Sequence, residues 1–384
     1  MKIAIITGNS YPNGDAGAVR QHAMAKLLLE MGHDVIVLGY GKPTNGKVEQ
    51  FDGVKYISFR GKSTNTYVRA LNRILFGNRV LWYLNNELSD VSCLLIVDLL
   101  PAAFKLLKKY AIKNNIALIH DSVEWYSPEE FSDGENNRAY KNKEYTNNVA
   151  IDSTWSVIAI SKYLEKHFQT RCKNVVRIPV IMDIRSIAPR LNGKDSDKIL
   201  FLYAGGPGKK DLLSEMVSGF SGLDDETLKK VELHIVGVDQ KQLINQCGVD
   251  EGEINRLKSC LFSHGRVSRE EAIEWVKKSD YTILLRYETL RYAKAGFPTK
   301  VVESLACGTP VVCNLSSDLG DYIKDSVNGF VISGHRPVQI SEDISRVISE
   351  GKPSVEMRQA ARHTAEQYFD YRKYRPQMET ILSE

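Results

Sequence analysis

A chain of 384 residues is too long for one ordinary hydrophobic core and fits two domains of common size. With 43% hydrophobic and 26% charged residues it reads as a soluble globular protein, and a formal net charge of +4 is too mild to imply a nucleic-acid partner. No stretch reaches the roughly 18–20 apolar residues of a membrane span, the short apolar start MKIAIITGNS reads as a strand and not a signal peptide, and six cysteines without a CxxC read as reduced core residues of a cytoplasmic protein.

Lys2–Thr7 is predicted as the first strand, 8–17 as a glycine-rich loop, 18–31 as a helix ended by Gly32, and 34–39 as the second strand. A β-loop-α-β opening predicts a parallel sheet. The loop offers Gly14 and Gly17 around Asp15 but no GxGxxG, and the second strand ends at Gly39-Tyr40 without an acid for an adenosine ribose. A dinucleotide site is therefore opposed, and the two glycines read equally well as turn residues. Over 55–86, Arg60, Lys62, Arg69, Arg73 and Arg79 alternate with Tyr67, Leu71, Ile74 and Trp82. That pattern fits a solvated helix with its apolar side in the core, or an amphipathic surface for peripheral docking on anionic lipid.

A strand over 94–97 ends at Asp98, a helix follows over 101–111, and a strand over 116–119 runs into His120-Asp121-Ser122-Val123-Glu124-Trp125-Tyr126. Polar groups at the carboxyl end of a parallel strand face the ligand crevice. His120 is on that ground a candidate catalytic residue, with Asp121 and Glu124 on the acceptor side; Trp125 and Tyr126 either stack on a sugar or pack the loop. Strands are expected over 153–160 and 175–180, and the polar stretch 185–198 is the linker.

The second half opens with a strand over 199–204 that runs into Gly205-Gly206-Pro207-Gly208-Lys209-Lys210-Asp211. A glycine loop at a helix start with two lysines is a phosphate cradle by its physics, though not a Walker loop, and a plain turn with solvated lysines has the same sequence. Strands over 231–237 and 281–285 follow, the latter ending at Arg286-Tyr287-Glu288. The most informative stretch is KAGFPTKVVESLACGTPVVCN, from Lys294 to Asn314. Gly296-Phe297-Pro298 reads as an open loop. From Thr299 the apolar positions Val301, Val302, Leu305 and Ala306 recur at helical spacing, Gly308 and Pro310 stop the helix, and 311–313 reads as a buried strand. Amides at the helix start suit a phosphate, and Glu303 is placed to accept hydrogen bonds from a ribose diol. The two together suit a nucleoside diphosphate sugar, while an ordinary solvated glutamate reads the same way.

This string resembles the donor-site signature of retaining GT-B glycosyltransferases of family four, Gly-Phe-Pro-x-Lys-x-x-Glu followed by Ala-x-Gly-x-Pro-Val. The resemblance covers nearly the whole chain and implies an α/β fold of GT-B type, two Rossmann-like domains facing a central cleft. It divides the chain into an acceptor-binding domain, 1–182, joined by a final helix over 363–384 that crosses back, and a nucleotide-sugar domain, 183–362. It implies sugar transfer with retained configuration from a UDP- or GDP-linked donor to a glycan or lipid-linked acceptor, with no cofactor, no metal and no enzymic nucleophile. Bacterial surface polysaccharide synthesis at the inner face of the membrane is the expected setting. A nucleotide-sugar epimerase, a phosphorylase, or a non-catalytic sugar- or partner-binding protein of the same fold are the alternatives. In the family the residue matching Glu303 holds the donor ribose, the loop matching Gly205 and Gly206 with Lys209 or Lys210 grips the diphosphate, and a Phe-x-Gly-x-Val segment matching Gly265 and Val267 frames the base. Gly296, Phe297, Pro298 and Thr299 lie at the donor sugar, His120 beside donor sugar and acceptor, and Gly14, Asp15 and Gly17 toward the cleft. Two positions depart: Ala295 stands where the family has a first Glu, and Gly206 where it has an Arg. Arg286 and Glu288 are the nearest substitutes in sequence.

Overall fold

A computed structural model describes residues 1–14, 16–60, 65–192, 196–206, 208 and 210–383. The expected roles of Asp15, Lys62 and Lys209 lie outside the described residues. The chain forms two compact units. The first comprises Met1–Asp183, Ala295–Phe297 and Tyr371–Glu384; the second comprises Ile184–Lys294 and Pro298–Asp370.

The first unit is built on an eight-stranded sheet. Its strands are β1 (Lys2–Ser10), β2 (Asp34–Gly41), β3 (Glu49–Phe51), β4 (Val54–Arg60), β5 (Cys93–Val97), β6 (Ala117–Ser122), β7 (Ser156–Ala159) and β8 (Asn174–Arg177). Their order is β3-β4-β2-β1-β5-β6-β7-β8, parallel except for the β3–β4 hairpin. Chain order reverses direction between β1 and β5, so the carboxyl ends of those two strands form the topological switch point where such sheets bind ligands. Ile3, Ile5, Val35, Val37 and Leu95 are buried with Met378 and Ile381 of the helix Arg375–Leu382, which completes this core.

Three expectations are corrected here. Residues 55–60 belong to β4, and the helix that follows is Thr66–Asn86. β1 continues through Gly8 to Ser10, and the next helix, Ala16–Glu30, already contains Gly17. The expected single helix over 363–384 is two, Val355–Tyr368 and Arg375–Leu382. The reason is burial on either side of the break. Phe369 packs on Tyr322 in the second unit, whereas Tyr371, fully buried, donates its backbone N–H to the Met182 carbonyl in the first.

The second unit carries β9 (Ile199–Ala204), β10 (Val231–Val236), β11 (Leu261–Ser263), β12 (Tyr281–Leu284), β13 (Val311–Cys313) and β14 (Gly329–Val331). All are parallel, in the order β11-β10-β9-β12-β13-β14, and the switch point falls between β9 and β12. The helix Thr299–Ala306 buries Val301, Val302, Leu305 and Ala306 completely. Each large aliphatic among them contributes about 1.5–3 kcal/mol, which fixes the roll of the helix. Its polar positions Lys300 and Glu303, three residues apart, therefore share the other face. All six cysteines are free thiols, and burial pushes those of Cys93, Cys307 and Cys313 up to about 12. Among the described residues no helix is long and apolar enough to cross a membrane.

Candidate functional site

The second unit gathers charge at its switch point. After β9 the chain turns through Gly205 and Gly206 to Asp211; after β12 it delivers Arg286. Asp211 is buried, and three groups converge on its carboxylate. Arg286 Nε donates to Oδ1 at 3.0 Å, Tyr203 donates its hydroxyl to Oδ2 at 2.9 Å, and Lys300 Nζ donates to the same oxygen. Burial pushes the Asp211 carboxyl up, but the charges of Lys300 and Arg286 outweigh it and hold the group well below the usual carboxylate range. Lys300 also lies 4.6 Å above the Tyr203 ring. One carboxylate thus orients two cations that are left with a surplus positive charge, an arrangement suited to an anion.

The backbone around this cluster is held close by glycine. A Cβ on Gly205 would come within 2.3 Å of Lys300 Nζ, and one on Gly237, at φ +98°, within 2.3 Å of the Gly205 carbonyl. Gly205 N–H donates to Val236 O, and Gly237 N–H to Gly265 O, so the turns after β9, β10 and β11 are tied side by side. On the far side, Asn314 fixes Arg286 twice: its Oδ1 accepts from Arg286 N at 3.0 Å, and its Nδ2 donates to Arg286 O at 2.6 Å. Lys210 contributes its carbonyl to Tyr292, at 2.7 Å.

Glu303 sits one turn beyond Lys300, and both border a small pocket with Ala204 and Thr282. Its Oε1 accepts from Arg269 Nη2 at 2.8 Å, with about a fifth of the side chain exposed. Of the residues selected from sequence, the structure therefore brings Gly205, Gly206, Arg286, Thr299 and Glu303 into one region of the second unit, with Gly265 on the neighbouring turn and Val267 half-buried against Leu202 and Val236.

Not every selected residue takes its expected part. Gly206 has open space around it and no side chain to grip a phosphate. Glu288 accepts from Asn314 Nδ2 at 2.8 Å and lies 3.5 Å from His335, so it is engaged on β13's side. Gly296 and Phe297 are counted with the first unit, where Ser161 Oγ donates to Ala295 O at 2.8 Å; Phe297 and Pro298 are buried, not an open loop.

The first-unit candidates need the larger correction. β6 runs on through Ser122, so His120 and Asp121 lie within the strand and not beyond it. His120 is enclosed by Phe104, Trp155 and Phe168 and bonded through Nδ1 to Ile96 O; burial lowers its pKa to about 4. It presents no surface for a catalytic role. Asp121 is buried in a two-pronged pair with Arg20, whose Nε lies 2.9 Å from Oδ2 and Nη2 2.7 Å from Oδ1, while Arg20 also reaches Ile178 O. Two buried groups that saturate one another hold the sheet together and leave nothing for an acceptor. Trp125 donates Nε1 to Glu144 and packs on His167, so it is loop packing; Glu124 accepts from the Tyr126 hydroxyl at 2.6 Å. Gly14 lies against Ser10 O and Ala18, a close turn at the start of the first helix.

Sequence reading gave no role to Lys300, Asp211, Tyr203 or Arg269, although Lys300 fills the Lys position of the quoted signature. For Lys300 the signal was present, since a lysine three residues before Glu303 on one helix shares its face. For Asp211 it was not: the two cations it holds come from 75 and 89 residues away.

The pair of Rossmann-like parallel sheets, one per unit, is the fold of GT-B glycosyltransferases. Residues 185–364, which carry the whole Asp211 cluster and Glu303, match the family described as Glycosyl transferases group 1. The uncharacterized glycosyltransferase MJ1069 of Methanocaldococcus jannaschii is 22% identical over 227 residues, 56% of this chain. The chain spans about half, 55%, of that relative's length. Among solved structures, a sucrose-phosphate synthase from Thermosynechococcus elongatus superposes with a TM-score of 0.76 at 14% identity, over 100% of this chain and 98% of its own. Anabaena Alr3699/HepE in complex with UDP-glucose gives 0.67 at 15% identity, over 100% and 99%.

Proposed function

We propose that this chain is a retaining glycosyltransferase of family four that moves a sugar from a nucleoside diphosphate sugar to a glycan or lipid-linked acceptor. The observation that carries the reading is the convergence of Lys300 and Arg286 on buried Asp211 at the β9/β12 switch point, with Glu303 on the same helix face as Lys300. A diphosphate seated there meets two oriented cations, and the ribose beyond it meets a carboxylate. HepE of Anabaena was solved with UDP-glucose, which supports a UDP-linked donor.

In the proposed reaction the bond between the anomeric carbon and the diphosphate oxygen breaks. An acceptor hydroxyl oxygen bonds to that carbon, and its proton passes to the departing diphosphate. Negative charge grows on the leaving group as the bond breaks. Lys300 and Arg286, already held by Asp211 and Asn314, stabilise that charge without reorganising. No side chain of the second unit is assigned as nucleophile, and the cations take the part that a metal plays elsewhere. Surface polysaccharide assembly on the cytoplasmic side of a membrane fits such a donor and acceptor.

The test is a thermal-shift and calorimetric screen of UDP, GDP and their sugars, followed by product analysis with a panel of acceptors. A ligand that binds only the folded state raises its melting point. Stabilisation by UDP or UDP-sugars, and a product with the donor's anomeric configuration, are expected. No response to any nucleoside diphosphate overturns the donor reading, and an inverted product overturns retention.

A further inference from the structure

β10 and β11 carry a pair of histidines that the donor site does not absorb. Along β10, Val231, Leu233 and Ile235 are fully buried on one face of the sheet, so Glu232 and His234 lie on the other. Phe262 pairs with His234 across the sheet, and its ring stacks on the imidazole at 4.9 Å. His264, just past β11, holds its ring nearly parallel to that of His234, with Nε2 2.8 Å from His234 Nδ1. Trp275 of the helix Arg269–Lys278 closes the cluster, 4.9 Å from the first imidazole and 4.4 Å from the second. His234 is buried, whereas His264 is exposed and takes protons directly from solvent.

A hydrogen bond between two imidazoles needs one N–H and one lone pair. The pair keeps that bond with no added proton or with one. With two, an N–H from each ring faces the other across 2.8 Å and the bond is lost. The charges around the pair set when this happens. Glu232 Oε2 lies 3.4 Å from His234 Nε2, and Lys198, 3.7 Å from Glu232 Oε1, offsets part of that charge. Of the helix Arg269–Lys278, Glu271 acts on His264, Glu274 is paired with Lys277 at 2.7 Å, and Lys278 lies over Trp275 at 5.9 Å. In the turn itself Arg266 is exposed and Arg269 is engaged with Glu303. β9 contributes Leu202 and β11 Phe262, both uncharged. Burial is the largest effect on each ring and pushes both below the usual histidine value, against the pull of Glu232 on His234 and of Glu271 on His264. The charge of one imidazolium opposes a second proton further.

His264 immediately precedes the turn assigned to the base. Its N–H donates to Ile235 O, Gly265 N–H donates to Val238 O, and Gly265 O accepts from Gly237 N–H. Gly237 packs in turn on the Gly205 carbonyl, beside Lys300. Val267 and Trp275 pack against one cluster with Leu202 and Val236. The Gly265 turn is therefore tied to the anion site on one side and to the imidazole pair on the other. We propose that the His234–His264 pair is a proton-operated positioning device for the donor site: the bonded pair holds the Gly265 turn in the geometry that accepts a nucleotide, and a second proton parts the rings and releases the turn. The proposal rests on the nucleotide reading of that turn, whereas the titration of the pair is a property of the protein alone.

UDP affinity of the full chain, read by calorimetry at about pH 7.5 and about pH 5 in wild type and in His264→Gln, tests it across the range where histidines titrate. A glutamine amide both accepts and donates, so it keeps a bond to His234 in either protonation state while removing the second titrating ring. The phosphate of UDP titrates alike in both proteins and cancels in the comparison. On acidification the wild type is expected to lose at least about fivefold more affinity than His264→Gln, the low end of coupling between linked sites. Coupling is reciprocal, so UDP should lower the midpoint of the second protonation of the pair by about 0.7 of a pH unit, followed by the imidazole NMR resonances of the wild type and requiring no variant. Equal losses in the two proteins, or a midpoint that UDP leaves in place, overturns the switch alone. Absence of UDP binding by the wild type at the higher pH overturns the donor reading, and the switch with it.

Discussion

Arg269 donates Nη2 to Glu303 Oε1 at 2.8 Å, so the carboxylate assigned to the donor ribose already has a partner from the neighbouring helix Arg269–Lys278. Both side chains retain solvent contact, which makes the pair worth about 0–1 kcal/mol and easily exchanged. Glu303→Ala is expected to weaken UDP about tenfold, the value of charge-assisted hydrogen bonds to a diol. Arg269→Ala is expected to leave UDP binding unchanged or slightly tighter, because it frees the acid. Calorimetry on the two variants checks both, and an Arg269→Ala loss as large as that of Glu303→Ala would show that the arginine is itself needed for nucleotide binding and does not merely compete for the acid.

Asp211→Asn removes the counter-charge of Arg286, which is nearly buried, and of Lys300, which is about a third exposed. Uncompensated buried charge costs about 3–5 kcal/mol, and the partial exposure of Lys300 argues for the lower end, about 3 kcal/mol. The melting temperature should fall accordingly. A diphosphate supplies the missing negative charge, so UDP should raise the variant's melting temperature by more than it raises the wild type's. An equal or smaller shift would mean that UDP does not reach these cations.

His120 predicts a pH dependence of stability. Its pKa is lowered from 6.5 to about 4, chiefly by burial, with the charge of Lys143 acting in the same direction. The unfolded chain therefore takes up a proton that the folded chain refuses. The stability linked to this group is fully present above about pH 6.5 and is lost as pH falls from there toward about 4. Between about pH 7 and about pH 5 the loss is about 2 kcal/mol. Urea unfolding of wild type and His120→Phe across that window checks it: the variant should show a shallower slope, and parallel slopes would place the proton uptake elsewhere.

Much of the second unit was legible because its strands are continuous apolar runs closed by glycine or proline. Ile199–Ala204, Val311–Cys313 and the helix beginning at Thr299 lie where periodicity put them. The first unit was harder. β4 buries Val54, Ile57 and Ser58 without a regular alternation and leads toward an amphipathic helix, so the two read as one region. β6 ends in His-Asp-Ser, which resembles a loop until Arg20 and Ile96, far away in sequence, satisfy the Asp121 and His120 side chains inside the sheet. The same limit hid the role of Asp211. A polar residue declares itself structural or functional through its partners, and those are set by the sheet order, not by spacing along the chain.

The most direct test of the central claim is UDP binding by Lys300→Met and Arg286→Met, each read by calorimetry beside its melting curve. Both variants keep an aliphatic stem and lose the cation, while Asp211 keeps the other partner. If the pair grips a diphosphate, each should weaken UDP by about tenfold or more, the value of a lost charged hydrogen bond, and the double variant should bind no UDP at all. Wild-type affinity in the double variant, with the fold intact, would contradict the account.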